Sequence, residues 1–359
     1  MEGADYLNVT ERMEGADYLN VTEPEDDPFL ISADLLQWFT LVNYVALSGT
    51  ISFIGVIFNI INIIIFIRLG FHETTNISFL SLTLADMGVV LMLVGYSIIY
   101  NPAMVGAVPT PQIIDSVGYI LFGWPYACFS RIAGCMTAFI TVERFLCVAM
   151  PLRIKTLVTP QKTILIAASF FVILFASVVP AFLASRLDRV FDPSINQTVV
   201  GLVFCPDTPT LENASLTFNV AVQLAVFIIV TVFTVGLIRT YVRKSEWRNS
   251  ISSSQGSKSI SSRDKKLVKM VIFISVIFIA CSIPGVVATF LMMFIKDYNI
   301  LGRYRNIYIA TFSTFFPIGA INSTVNIFIF LDMSSKYRHI FLSMFDLRSV
   351  ARFDTKSKT

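Results

Sequence analysis

Charge is what this chain has least of. Only 14% of its 359 residues are Asp, Glu, Lys or Arg, against roughly 25% in soluble domains. There are two His and five Cys, with no C-x-x-C pair, so a zinc site has almost no support and no metal is expected. None of the long apolar runs repeats another, whereas transporters usually show internal repeats and paired broken helices. The first 27 residues are polar and acidic. No hydrophobic leader opens the chain, and the first membrane span is expected to act as its own insertion signal.

What fills the space is apolar. The chain is 55% hydrophobic, with a mean hydropathy of +0.71. Seven apolar runs, near 39–67, 77–100, 115–149, 161–184, 215–242, 267–295 and 304–331, each match the ~20 residues a helix needs to cross a bilayer. Barrel strands would be half that length. The expected fold is an all-α membrane protein, a seven-transmembrane helix bundle. A short amphipathic C-terminal helix follows, because bases and apolar residues alternate at helical spacing over 334–347. That helix is expected to lie on membrane lipid.

The net charge of +3 hides a strong polarity. Residues 1–38 hold ten acids and one base, Arg12; the linker 239–269 holds nine bases and two acids, Glu246 and Asp264. Further bases cluster in 153–162 and 336–358. Bases favour the cytoplasmic side, so the N-terminus is expected outside and the C-terminus inside the plasma membrane. The basic balance therefore marks inner loops, not nucleic acid. Three regions follow: an extracellular, disordered acidic tail (1–38), the transmembrane domain (39–331), and a cytoplasmic amphipathic helix and tail (332–359). Residues 1–11 recur at 13–23 as a tandem repeat, too short and acidic for a solenoid. Glycosylation acceptors fall at Asn8, Asn20, Asn196 and Asn213. Asn76 and Asn322 match the same pattern but sit at the inner edge and within a span. The third inner linker is rich in Ser over 250–262, the composition of a solvated loop.

Polar residues inside the spans carry the chemistry. Glu143 and Arg144 end the third span, before Pro151. A charged pair at that depth is costly unless it reaches the interface or finds partners. Asp86 lies mid-span in the second run, where a carboxylate costs about 2.5–3.5 kcal/mol on insertion scales. Asn59, Asn322 and Asn326 are plausible partners. Arg131 lies thirteen residues before Arg144, roughly 20 Å along a helix. It either faces a pocket for an anionic ligand group, lined also by Asn219 and Gln223, or snorkels to headgroups. Pro284 removes a backbone bond and kinks the sixth span.

Several of these residues resemble the rhodopsin-like (class A) G-protein-coupled receptors. Glu143-Arg144-Phe145 with Pro151-Leu152 looks like the Asp/Glu-Arg-Tyr motif closing their third helix. Phe278, Cys281 and Pro284 match Phe-x-x-Cys-Trp-x-Pro, with Ser282 for Trp. Asn322 is placed on the Asn of Asn-Pro-x-x-Tyr, whose Pro and Tyr are missing. The finer likeness is to invertebrate chemosensory or neuropeptide receptors. The resemblance implies a ligand outside, peptide or small molecule, and a heterotrimeric G protein inside; such a receptor is not itself an enzyme. It implies a resting pair between Arg144 and Asp264, a hinge at Phe278, Cys281 and Pro284, and a polar cluster of Asn59, Asp86, Asn322 and Asn326. That cluster often holds sodium in the family, although Ala133 falls where a hydroxyl is common. It also implies a disulfide from the third helix to the second outer loop, for which Cys128 and Cys205 are the candidates. Cys128 is only sixteen residues before Arg144, where the family spacing is nearer twenty-five: either this helix is short on its outer side, or Cys128 is buried and the bridge is absent. A multi-pass transporter is the competing class.

Overall fold

Among the described residues, seven helices are long and apolar enough to cross a membrane. The structure, a computed structural model, describes residues 31–108, 111–192, 196–204, 208–251, 262–295, 297–298 and 303–344. The spanning helices are α1 (Asp34–Leu69), α2 (Thr74–Ile99), α3 (Tyr119–Ala149), α4 (Pro160–Ala184), α5 (Thr208–Ile251), α6 (Ser262–Phe294) and α7 (Arg305–Met333). α8 (Ser335–Met344) follows at the end of α7. Asn8, Asn20, Cys205 and the Ser-rich linker lie outside the described residues, and of Asp264 only the helical backbone is described.

The spans are apolar on every face because lipid, not water, surrounds them. α2 and α3 form the centre: 67% and 56% of their apolar stretches are buried, against 22% for α4 and α5. Hydroxyls inside the spans bond back one turn, as Thr83 does to Phe79, Thr137 to Ala133 and Thr141 to Thr137. No water is present in lipid to serve them instead. Two glycines set how closely α2 meets α3. A Cβ at Gly88 or Gly95 would run into the ring of Phe129 or Phe122.

Two π-helical stretches interrupt the spans, Leu41–Gly49 in α1 and Tyr119–Gly123 in α3. The helix Pro111–Gly118 runs on into the second, so helical structure is continuous from Pro111 to Ala149. Gly123-Trp124-Pro125 therefore lies within a helix. Pro125 sits where π geometry gives way to α, a register change that tolerates a missing N–H.

A feature absent from the sequence reading is a hairpin. Strands β1 (Ser185–Asp192) and β2 (Gln197–Phe204) pair antiparallel, from Ser185 opposite Phe204 to Asp192 opposite Gln197. β2 packs on Pro111–Gly118. The hairpin marks one end of the bundle, and Arg144 marks the other.

Candidate functional site

The Arg144 end is closed by hydrogen bonds. Arg144 is 8% exposed and donates to Glu143 and to Thr75 Oγ1, both at 2.7 Å. Thr74 donates to the same Glu143 oxygen at 2.8 Å. The first turn of α2 thus fastens the acid–base pair, a role for Thr74 and Thr75 that the sequence reading missed. The Thr-Thr pair opening the second span was the available signal. Asp264 lies in the first turn of α6, and its side chain lies outside what is described.

One turn nearer the centre, Thr141 and Ser275 bond at 2.7 Å across α3 and α6, both fully buried. Thr141 already donates to the Thr137 carbonyl, so Ser275 is the donor in this contact. This clasp too was missed; a Ser between Ile274 and Val276 in an apolar run was its only trace.

Asp86 accepts from Asn326 Nδ2 at 2.8 Å, with the Ser323 side chain beside it. Asn59 donates to the Gly55 and Ser323 carbonyls. The Asn322 side chain makes no hydrogen bond among the described residues, and the bond to Asp86 expected of the cluster comes from Asn326 instead. α7 breaks at Val325, between Thr324 and Asn326. Asn326, just past this interruption, is buried, whereas Asn322 is half-buried. The motif register moves with it: Asn326-Ile327-Phe328-Ile329-Phe330 stands where Asn-Pro-x-x-Tyr was sought. Phe330 is 1% exposed, packed with Phe66, Phe79 and Tyr337. For sodium the cluster offers two buried acceptors without a partner among the described residues, Asp86 Oδ1 and Asn59 Oδ1. Ala133, on α3, adds no oxygen.

α8 is locked in place by Tyr337, whose hydroxyl donates to the Asn62 carboxamide. Burial pushes that hydroxyl above its ordinary range, so it stays a donor. Lys336 pairs with Glu73 at 3.0 Å. Between α8, α6 and α2 lies a cavity of about 70 Å³, lined by Thr75, Phe79, Lys266, Met270, Phe330 and Lys336 among others.

In the half nearer the hairpin, Arg131 does not snorkel. Its Nη2 donates to Gln223 Oε1 of α5 at 2.6 Å. The helix continues outward to Pro111, so a headgroup is not the nearest polar partner. Asn219 bonds the Ser215 carbonyl one turn back and is 5% exposed. Phe278 packs against Val226 and beside Gly134, and Pro284 lies within α6. Cys281 is a free thiol, partly buried.

The expected bridge from Cys128 is corrected: Cys128 is a free thiol with no exposure. The continuous helix places it deep in the bundle, not at the entrance of α3. Tyr119 occupies the position twenty-five residues before Arg144. Asn196 is exposed in the hairpin turn, with a positive φ of 53° that Asn tolerates. Asn213 is also exposed but lies in α5, not in a loop, and its triad ends on the buried Ser215.

The profile of the 7 transmembrane receptor (rhodopsin family) matches residues 59–330. The chain belongs to this family. A similar protein is the growth hormone secretagogue receptor type 1 of Mus musculus, 26% identical over 209 residues, which is 55% of this chain and 53% of that receptor. The match thus spans about half of that relative's length. The receptor is accordingly a multi-pass membrane protein of a signalling family, and a transporter reading is not favoured.

Proposed function

We propose that the receptor binds a soluble ligand, peptide or small molecule, at its hairpin end and activates a heterotrimeric G protein at its Arg144 end. The basic linkers favour a cytoplasmic side for 239–269 and 336–358, and with it an N-terminus outside the plasma membrane. The observation that carries this reading is the tethered Arg144. A buried guanidinium held by Glu143 and Thr75, beside a cavity bordered by α6 and α8, is a group that an outward swing of α6 would release. The Thr141–Ser275 clasp and a resting pair between Arg144 and Asp264 oppose that swing. The second contact is worth only about 0–1 kcal/mol if exposed, enough to bias a near-balanced equilibrium. The mouse relative is named for secretagogues, which favours a soluble ligand.

The test is basal nucleotide exchange with a panel of purified G proteins, using full-length receptor in lipid nanodiscs. Exchange should rise in Asp264→Ala and vanish when Arg144→Ala is added. No receptor-dependent exchange with any G protein would overturn the reading. An epitope placed before residue 31 should be reached by antibody on intact cells. A sodium site at Asp86 is part of the proposal; NaCl should raise the melting temperature over KCl in wild type and not in Asp86→Asn.

A further inference from the structure

Resting on that reading, we propose that the α3–α5–α6 side of the hairpin-end half is a carboxylate-binding site, in which Gln223 holds the place of the ligand. A guanidinium has five N–H donors in a fixed fork. Arg131 uses one side-chain partner, Gln223, and its Nε is buried with none. Among the described residues it forms no ion pair. A cation inside a membrane bundle without a counter-ion is costly, and such residues mark ligand or ion paths. The partner that fits the fork is a carboxylate accepting two parallel bonds.

A second orphan lies one turn away on the same face of α5. Asn219 Oδ1 is buried without a donor, while its Nδ2 is committed to Ser215. Its complement is an N–H or O–H on the ligand. The neighbouring surface is apolar, with Val222, Val226 and Phe278. The site therefore suits an acid with a hydrophobic body and one hydrogen-bond donor.

Position also supplies the transmission. The Gln223 amide lies against Gly285, where a Cβ would stand 3.1 Å from Nε2. Gly285 follows the kink residue Pro284. A carboxylate that takes Arg131 displaces Gln223, whose amide must then repack against α6 at its kink. Ser275 lies ten residues along the same helix, roughly 15 Å away, at the clasp with Thr141.

The experiment uses full-length receptor in nanodiscs and reads melting temperature and G-protein exchange together. The probes are 4-phenylbutyrate and its primary amide, and acetyl-Leu-Phe as free acid and as amide; these separate a small acid from a peptide C-terminus. At least one acid should raise the melting temperature in wild type while its amide does not. Gln223→Glu, which supplies the carboxylate from within, should raise the melting temperature by itself and abolish the acid's effect. Arg131→Gln should abolish both. Equal effects of acid and amide, no effect of either acid, or a lower melting temperature in Gln223→Glu would each overturn the carboxylate site. Receptor-dependent exchange that persists in wild type through such a failure would leave the G-protein reading standing, so the two are separable.

Discussion

The two sides of the hairpin-end half are built on opposite principles. Toward α1, α2 and α7 the space is filled with rings. Phe316 stands 4.9 Å from Tyr44, 4.7 Å from Tyr96 and 4.9 Å from Tyr126, while Tyr96 also meets Tyr100 and Phe122. Asn43 and Ser313 bond across α1 and α7 at 2.8 Å. Toward α3, α5 and α6 there are instead polar groups with unmet valence at Arg131 and Asn219. The ring side leaves small hydroxyls, Ser48 and Ser52, without a partner, whereas the other side leaves a buried cation's Nε and a carboxamide oxygen. Aromatic packing stabilises the frame, and the α3–α5–α6 side is where the proposed acid would bind.

Substitutions should separate the two sides. The largest effect is expected at Phe316→Ala. Loss of a ring packed against three others should cost about 3–5 kcal/mol, read as a fall in melting temperature, with no selective loss of acid response in the surviving receptor. Gly95→Ile should come next, at about 1–3 kcal/mol, because the added side chain meets the Phe122 ring. A melting temperature equal to wild type would show that the ring side is not tightly packed.

At the opposite end, Ser275→Ala removes the donor that joins α6 to α3. A buried hydrogen bond of about 1 kcal/mol corresponds to a rise of about fivefold in basal exchange; unchanged exchange would mean that the clasp does not restrain α6. Tyr337→Phe should likewise cost about 1 kcal/mol at neutral pH. The raised ionisation of Tyr337 in the folded state means that its contribution holds below about pH 10 and is lost as pH rises toward the folded value. The variant should therefore lose less stability than wild type in alkaline melts. The smallest stability effect is expected at Asn219→Leu, near zero, since an apolar group replaces a buried orphan. Its acid response should nonetheless fall. A large drop in melting temperature there would contradict the division of labour between the two sides.

The bundle was legible because its signal is local. Each span announces itself by about twenty apolar residues, and the basic linkers, Pro284 and the Glu143-Arg144 pair are read without knowing any neighbour. Legibility failed where a residue's role depends on another helix. Asn322 and Asn326 are the same residue type four positions apart, and only the hydrogen bond from Asn326 to Asp86 chooses between them. Cys128 was expected at the third-helix end of a bridge to the second outer loop, although it stands only sixteen residues before Arg144. The π turn at Tyr119–Gly123 carries the helix through that point. Thr74, Thr75 and Ser275 were invisible because a hydroxyl in an apolar run satisfies itself on its own helix as readily as on another.

The sequence by itself determined that this chain crosses a membrane seven times and carries charged groups at fixed depths, because transfer of apolar residues into lipid is a property of each segment alone. Only the tertiary structure decided which of those polar groups meet. Hydrogen bonds across helices require facing atoms within about 3 Å, and facing is set by helix rotation, by breaks and by glycine contacts. Arg144 finds Thr75 and Asp86 finds Asn326 by that geometry, and Arg131 is left with Gln223.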